Sequence, residues 1–148
     1  MSFSKALKEA CICLDLKSNT KQAVVEELVD LMVAEGKIKD REETVSAVME
    51  RERKMSTGMQ FGVAIPHGKT NTVENLVTAL GFKREGMDFA SFDGQPSRIF
   101  VMTISPINRT GPHIQYLSEI SKLLNRPSVR KQLLEAGTKE EVLTILAD

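Results

Sequence analysis

The sequence predicts a single α/β domain spanning residues 1–148, with a mixed β-sheet sandwiched between helices on both faces. Three observations predict it. Helix-periodic segments precede, interrupt and follow the strand-like runs. The run Ile99–Ile104 is nearly all apolar, as in a central strand covered on both sides. From Pro112 the period turns helical, which supplies the second layer a two-faced sheet requires. No internal repeat, low-complexity stretch or Gly/Ser/Pro-rich linker divides the chain, so one unit is expected.

The elements follow in order. Ile12, Leu14 and Leu16 alternate with Cys11, Cys13 and Asp15, which reads as a short half-buried strand. Ser18, Asn19 and Thr20 offer caps for a helix whose apolar positions are Val24, Val25, Leu28, Leu31 and Met32, with Gly36 placed to end it. Asp40 can cap a second helix carrying Val45, Val48 and Met49 and ending near Arg53. Met55–Gln60 lacks a period and reads as a loop into the strand Val63-Ala64-Ile65, which Pro66-His67-Gly68 terminates. Val77–Phe82 and Ile99–Ile104 are further strands, with Asp93-Gly94 marking a turn between them. Pro112 suits the first position of a helix with Ile114, Leu117, Ile120 and Leu124 on one face. Ser128 and Thr138 can each cap one of two closing helices.

Charge and composition narrow the function. The chain has 20 basic and 20 acidic side chains, so no general excess of cations stands ready for nucleic-acid phosphates. The longest apolar stretches fall far short of the roughly 20 residues of a membrane helix. With no secretory signal readable at the N-terminus, the expected address is the cytoplasm. A disulfide between Cys11 and Cys13 would strain the backbone, so reduced thiols are expected, and with only His67 and His113 beside them a zinc site is not supported.

Pro66-His67-Gly68 is the leading candidate for chemistry. The proline biases Ile65 toward extended geometry and fixes its own φ, and Gly68 leaves the imidazole uncrowded, so His67 is expected at a strand end, where crevices form in open α/β sheets. Arg51 precedes the Ser-Thr-Gly loop that leads to His67 and could hold a phosphoryl or carboxylate group through its planar fork. His113 falls in the first turn of a helix, where free backbone N–H groups attract anions. Taken singly, each has a plainer explanation: a turn histidine bonded to a neighbouring carbonyl, a solvated charge run at Glu50–Lys54, and an ordinary helix-start histidine. Walker, Gly-x-Ser-x-Gly and His-Glu-x-x-His motifs are missing.

Taken together, Gly62-Val63-Ala64-Ile65-Pro66-His67-Gly68, with Arg51-Glu52 and Ser56-Thr57-Gly58 before it and Gly111-Pro112-His113-Ile114-Gln115 after it, resembles one known family. It is the fructose/mannitol type (type 2) of the EIIA component of the phosphoenolpyruvate-dependent sugar phosphotransferase system (PTS), which includes the nitrogen-regulatory IIA proteins. The resemblance covers essentially the whole chain and extends to spacing, with Arg51 16 residues before His67 and His113 46 after it.

The resemblance implies that His67 is the phosphoryl acceptor, through Nε2, and that the donor is the histidine phosphocarrier protein HPr. It implies that Arg51 binds the phosphoryl group and that His113 assists. The acceptor would be a IIB component acting in trans, for carbohydrate uptake. Alternatively, in a nitrogen-type regulator, the phosphorylation state of His67 would control binding to other proteins; a purely structural or interaction role is a third possibility. No ATP, metal or other cofactor is called for, because the phosphoryl group arrives already activated. Gln60-Phe61 and Lys69 depart from, or fail to decide between, the family's subtypes. Met55, Met59 and Phe61 are the expected apolar docking residues, Met suiting an exchange of partners.

Overall fold

The computed structural model describes residues 3–108 and 110–147. Strand β5 (Ser97–Pro106) organises the sheet, and its mostly apolar sequence is buried along nearly its whole length. On one side it pairs antiparallel with β4 (Val77–Met87), which pairs in parallel with β1 (Cys11–Cys13). On its other side it pairs in parallel with β2 (Val63–Ala64) and, further along, with β3 (His67–Thr70). The sheet is mixed, in the order β1-β4-β5-β2, with β3 also on β5.

Alternation along β5 builds two cores. Phe100, Met102 and Ile104 pack on one face with Val24, Leu28 and Met32 of α2 (Lys21–Ala34) and with Val45 and Val48 of α3 (Arg41–Lys54). Ile99 and Val101 pack on the other face. Their partners there come from α1 (Phe3–Lys8), α4 (Thr110–Leu124), α5 (Pro127–Glu135) and α6 (Lys139–Ala147). The fold class read from the sequence holds, helices on both faces included.

The caps are largely the expected ones. Thr20 accepts from the Ala23 N–H, Asp40 from the Glu43 N–H and Thr138 from the Glu141 N–H, each satisfying an orphan donor of a first turn. Gly36, at φ +74°, follows the end of α2.

Several details differ from the sequence reading. The first strand stops at Cys13 and is covered on both faces, so it is not half-buried. Both cysteines are free. Helix α1, six residues long, is too short to show a period in sequence. α5 begins at Pro127 with Arg126 before it; Pro suits the first helical position, so Ser128 lies inside the helix and is not its cap. α4 starts at Thr110, two residues ahead of Pro112, because proline is tolerated anywhere in a first turn whose N–H groups lack helical acceptors. The buried face of α4 is His113, Tyr116, Ile120 and Leu124, which rotates Ile114 outward to 60% exposure.

Candidate functional site

The strand that carries His67 does not end there. Pro66 has no N–H to give the ladder, so β2 breaks at Ala64, yet the Pro66 carbonyl accepts from the Thr103 N–H and pairing with β5 resumes at His67. His67 therefore opens an edge strand, where sequence reasoning placed it at a strand end. Among the described residues β3 pairs with β5 alone, and its other edge borders a cleft of about 440 Å³ between α3 and the start of α4. Arg51, Lys54 and Glu50 line it from α3, His67, Gly68 and Lys69 from β3, and His113, Ile114 and Leu117 from α4. The three residues singled out from the sequence thus meet in one place.

Gly68 sets how closely α3 approaches β3. A Cβ there would lie 3.1 Å from the Val48 nitrogen and 3.2 Å from the Ala47 carbonyl carbon, both backbone atoms. Gly68→Ala should therefore press α3 away from β3, costing about 1–3 kcal/mol in urea unfolding. If His67 accepts a phosphoryl group as the resemblance implies, uptake should slow as well, since α3 carries Arg51; an alanine variant with unchanged stability would show that α3 yields freely.

His67 Nδ1 lies 2.9 Å from the Ile65 carbonyl oxygen. A carbonyl only accepts, so Nδ1 carries the hydrogen and Nε2 keeps its lone pair. The carbonyl bond that a plain turn histidine would make is thus present, and here it leaves Nε2 as the free nitrogen. Partial burial lowers the His67 pKa below its usual 6.5; the Ile65 hydrogen bond works the other way, and Arg51 and Lys69 add to the lowering.

His113 is buried, and its Nδ1 meets the Ser105 hydroxyl at 2.5 Å. Burial first, then the His67 and Lys69 charges, push its pKa down to about 4. The two rings stand 5.4 Å apart, tilted by 55°. Both imidazoles are therefore neutral at pH 7. Arg51 donates through Nη1 to the Met55 carbonyl at 2.7 Å, which anchors one end of the guanidinium and leaves its other donors to a ligand.

Met55 and Phe61 are exposed by 70% and 55%, and Met59 is exposed as well, so none of the three packs under the loop. None lines the His67 cleft; Met59 borders a separate groove with Val63, Ile65 and Leu124. Ile114, which the helical stripe places on the same face as Ile120 and Leu124, is instead an exposed apolar side chain lining the cleft. Glu52 was also missed, because it stands in a run of charges that reads as solvated, whereas its side chain is only 1% exposed.

A family model described as phosphoenolpyruvate-dependent sugar phosphotransferase system, EIIA 2, matches residues 5–148. The chain belongs to this family. A fructose-specific EIIA component of Haloferax volcanii is 37% identical over 137 residues, 93% of this chain and 89% of that protein. A fructose-specific EIIABC component of Bacillus subtilis is 36% identical over 99% of this EIIA chain, which spans only 23% of that longer protein. Among solved structures, the nitrogen regulatory protein IIA-Ntr of Neisseria meningitidis superposes with a TM-score of 0.88 at 31% identity, covering 97% of each chain. Escherichia coli IIA mannitol, solved in complex with phosphorylated IIB mannitol, superposes at 0.79 with 25% identity, covering 93% of this EIIA chain and 94% of that one. Among the described residues no helix is long and apolar enough to cross a membrane, and no group of three or more His, Cys, Asp or Glu side chains could hold a metal ion.

Proposed function

We propose that this EIIA chain, acting as one unit over residues 1–148, is a cytoplasmic phosphocarrier that takes a phosphoryl group from an HPr-type protein onto His67 and passes it to a IIB component. The observation that carries the reading is the Nδ1–H bond from His67 to the Ile65 carbonyl, which leaves the Nε2 lone pair free in a cleft shared with Arg51 and His113. Nε2 attacks phosphorus as the nitrogen–phosphorus bond of the donor histidine breaks and its electron pair returns to the donor ring. The proton on Nδ1 stays against Ile65 throughout. Charge spread over the three phosphoryl oxygens is met by the Arg51 guanidinium and by His113 Nε2–H, the form His113 adopts when Ser105 donates to its Nδ1. In the second transfer a nucleophile of the acceptor forms the new bond to phosphorus and His67 regains its lone pair.

A nitrogen-type regulatory role is the alternative, favoured by the likeness to IIA-Ntr. The first step at His67 is the same, and the outcome is binding that depends on phosphorylation state. The test is incubation with labelled phosphoenolpyruvate, enzyme I and HPr, followed by peptide mapping and addition of a IIB protein. Acid-labile label on the His67 peptide that then moves to IIB is the expected result. Label that stays on His67 while binding of another protein changes would favour regulation. No label, with donors that charge a known IIA control, would overturn both.

A further inference from the structure

Glu52 follows Arg51 in α3, so its side chain leaves the helix about 100° away from that of Arg51, toward the interior. A carboxylate in such a place is costly unless fully bonded. Here it accepts from the Thr57 N–H at 3.2 Å, from the Thr57 hydroxyl, and from Lys21 Nζ at 2.8 Å. Lys21, at the start of α2, also reaches the Ser56 hydroxyl at 3.1 Å and lies 4.5 Å from the centre of the Phe89 ring. The Ser56 hydroxyl donates to the Phe89 carbonyl at 2.7 Å and accepts from the Gly58 N–H at 3.1 Å.

Residues 56–58 are thus bonded to this cluster one after another, and two backbone carbonyls of the same loop lead into the site. The Met55 carbonyl holds Arg51 Nη1. The Thr57 carbonyl accepts from the Ile65 N–H at 3.0 Å, and the carbonyl of Ile65 is the one that takes the Nδ1–H of His67. One buried carboxylate is therefore connected to the phosphoryl-binding arginine through Met55, and to the acceptor histidine through Thr57 and Ile65.

We infer that Glu52, Thr57 and Lys21 are positioning residues: their buried cluster sets the 55–57 loop so that Met55 aims Arg51 and Ile65 holds His67 with Nε2 free. This rests on the reading of His67 as phosphoryl acceptor. A buried ion pair is weak evidence for stability, and both cores of the sheet are built from other residues. The directions of two carbonyls are what the cluster specifically sets.

The test uses Glu52→Gln, Lys21→Met, Thr57→Val and Thr57→Ser in the full chain, with folding checked by circular dichroism and urea unfolding. The His67 tautomer is read from side-chain ¹⁵N shifts in the unphosphorylated protein, and phosphoryl uptake from phospho-HPr is measured across donor concentrations. Thr57→Val and Glu52→Gln should lose the uniform Nδ1–H form and slow the maximal rate on the order of 10- to 100-fold. The KM for donor should stay within about twofold, and Thr57→Ser should restore both readouts. Glu52→Gln keeps the side-chain shape and leaves only Lys21, which is partly exposed and can reach water, so it is the mildest change to the fold and carries the test if the others do not fold. Folded variants with the wild-type tautomer and maximal rate would overturn the inference and leave the cluster a structural one. A wild-type chain that takes up no phosphoryl group would instead overturn the acceptor reading, and the tautomer measurement would still decide the role of Glu52.

Discussion

His67→Ala should leave a folded chain that takes up no phosphoryl group, and Arg51→Ala should take it up on the order of 100- to 1000-fold more slowly than wild type. On the proposed mechanism the two differ because one removes the atom that forms the bond and the other removes charge placed where the transition state gathers it. His67 is only partly buried, on an edge strand, and its ring bonds to a carbonyl two residues away, so its loss should disturb little else. The guanidinium of Arg51 is held at one end by the Met55 carbonyl, so on that mechanism it would meet the phosphoryl oxygens with little reorganisation. Arg51→Lys should fall between Arg51→Ala and wild type, since an ammonium keeps the charge and loses the planar fork. Initial rates of label uptake from phospho-HPr measure all three. An Arg51→Ala rate within a few-fold of wild type would remove Arg51 from the chemistry.

Acid should weaken the fold through His113. The unfolded chain binds a proton on this ring near pH 6.5, and the folded chain only near pH 4, because burial and the neighbouring His67 and Lys69 charges oppose it. Between those values the unfolded state holds more protons, so stability falls as pH falls. This contribution is fully present above about pH 6.5 and is lost by about pH 4, on the order of 3 kcal/mol in all. His67, also lowered, adds in the same direction. Urea unfolding at several pH values between 7 and 4 checks this. The wild-type loss should exceed that of His113→Gln, in which the group is gone, and equal losses would show that His113 contributes nothing to the acid sensitivity. If the neutral His67 ring is the nucleophile, as proposed, the transfer rate should stay level from weakly alkaline pH down past neutrality and drop only as His67 protonates.

The family resemblance was legible because the residues that carry it are close in sequence or lie at fixed spacing. Pro66-His67-Gly68 presents an imidazole through backbone restrictions that act within three residues. The faces of α2 and α3 follow from helical period, and the caps Thr20, Asp40 and Thr138 act across a single turn. The face of α4 was misread because Ile114 is apolar, and the pattern counted it as core when His113 takes the inward position. A polar residue on a buried face is invisible to a hydrophobic period.

By itself, then, the sequence determined the fold class, the cores on either side of β5, and His67, Arg51 and His113 as the residues to examine. Tertiary structure alone decided that Glu52 is buried and paired with Lys21, 31 residues away, and that Ser105 meets His113 in the interior. The reason is physical. Period and turn chemistry are properties of neighbouring residues, whereas the ionisation and hydrogen bonding of a side chain depend on which distant elements pack around it and how much water they exclude.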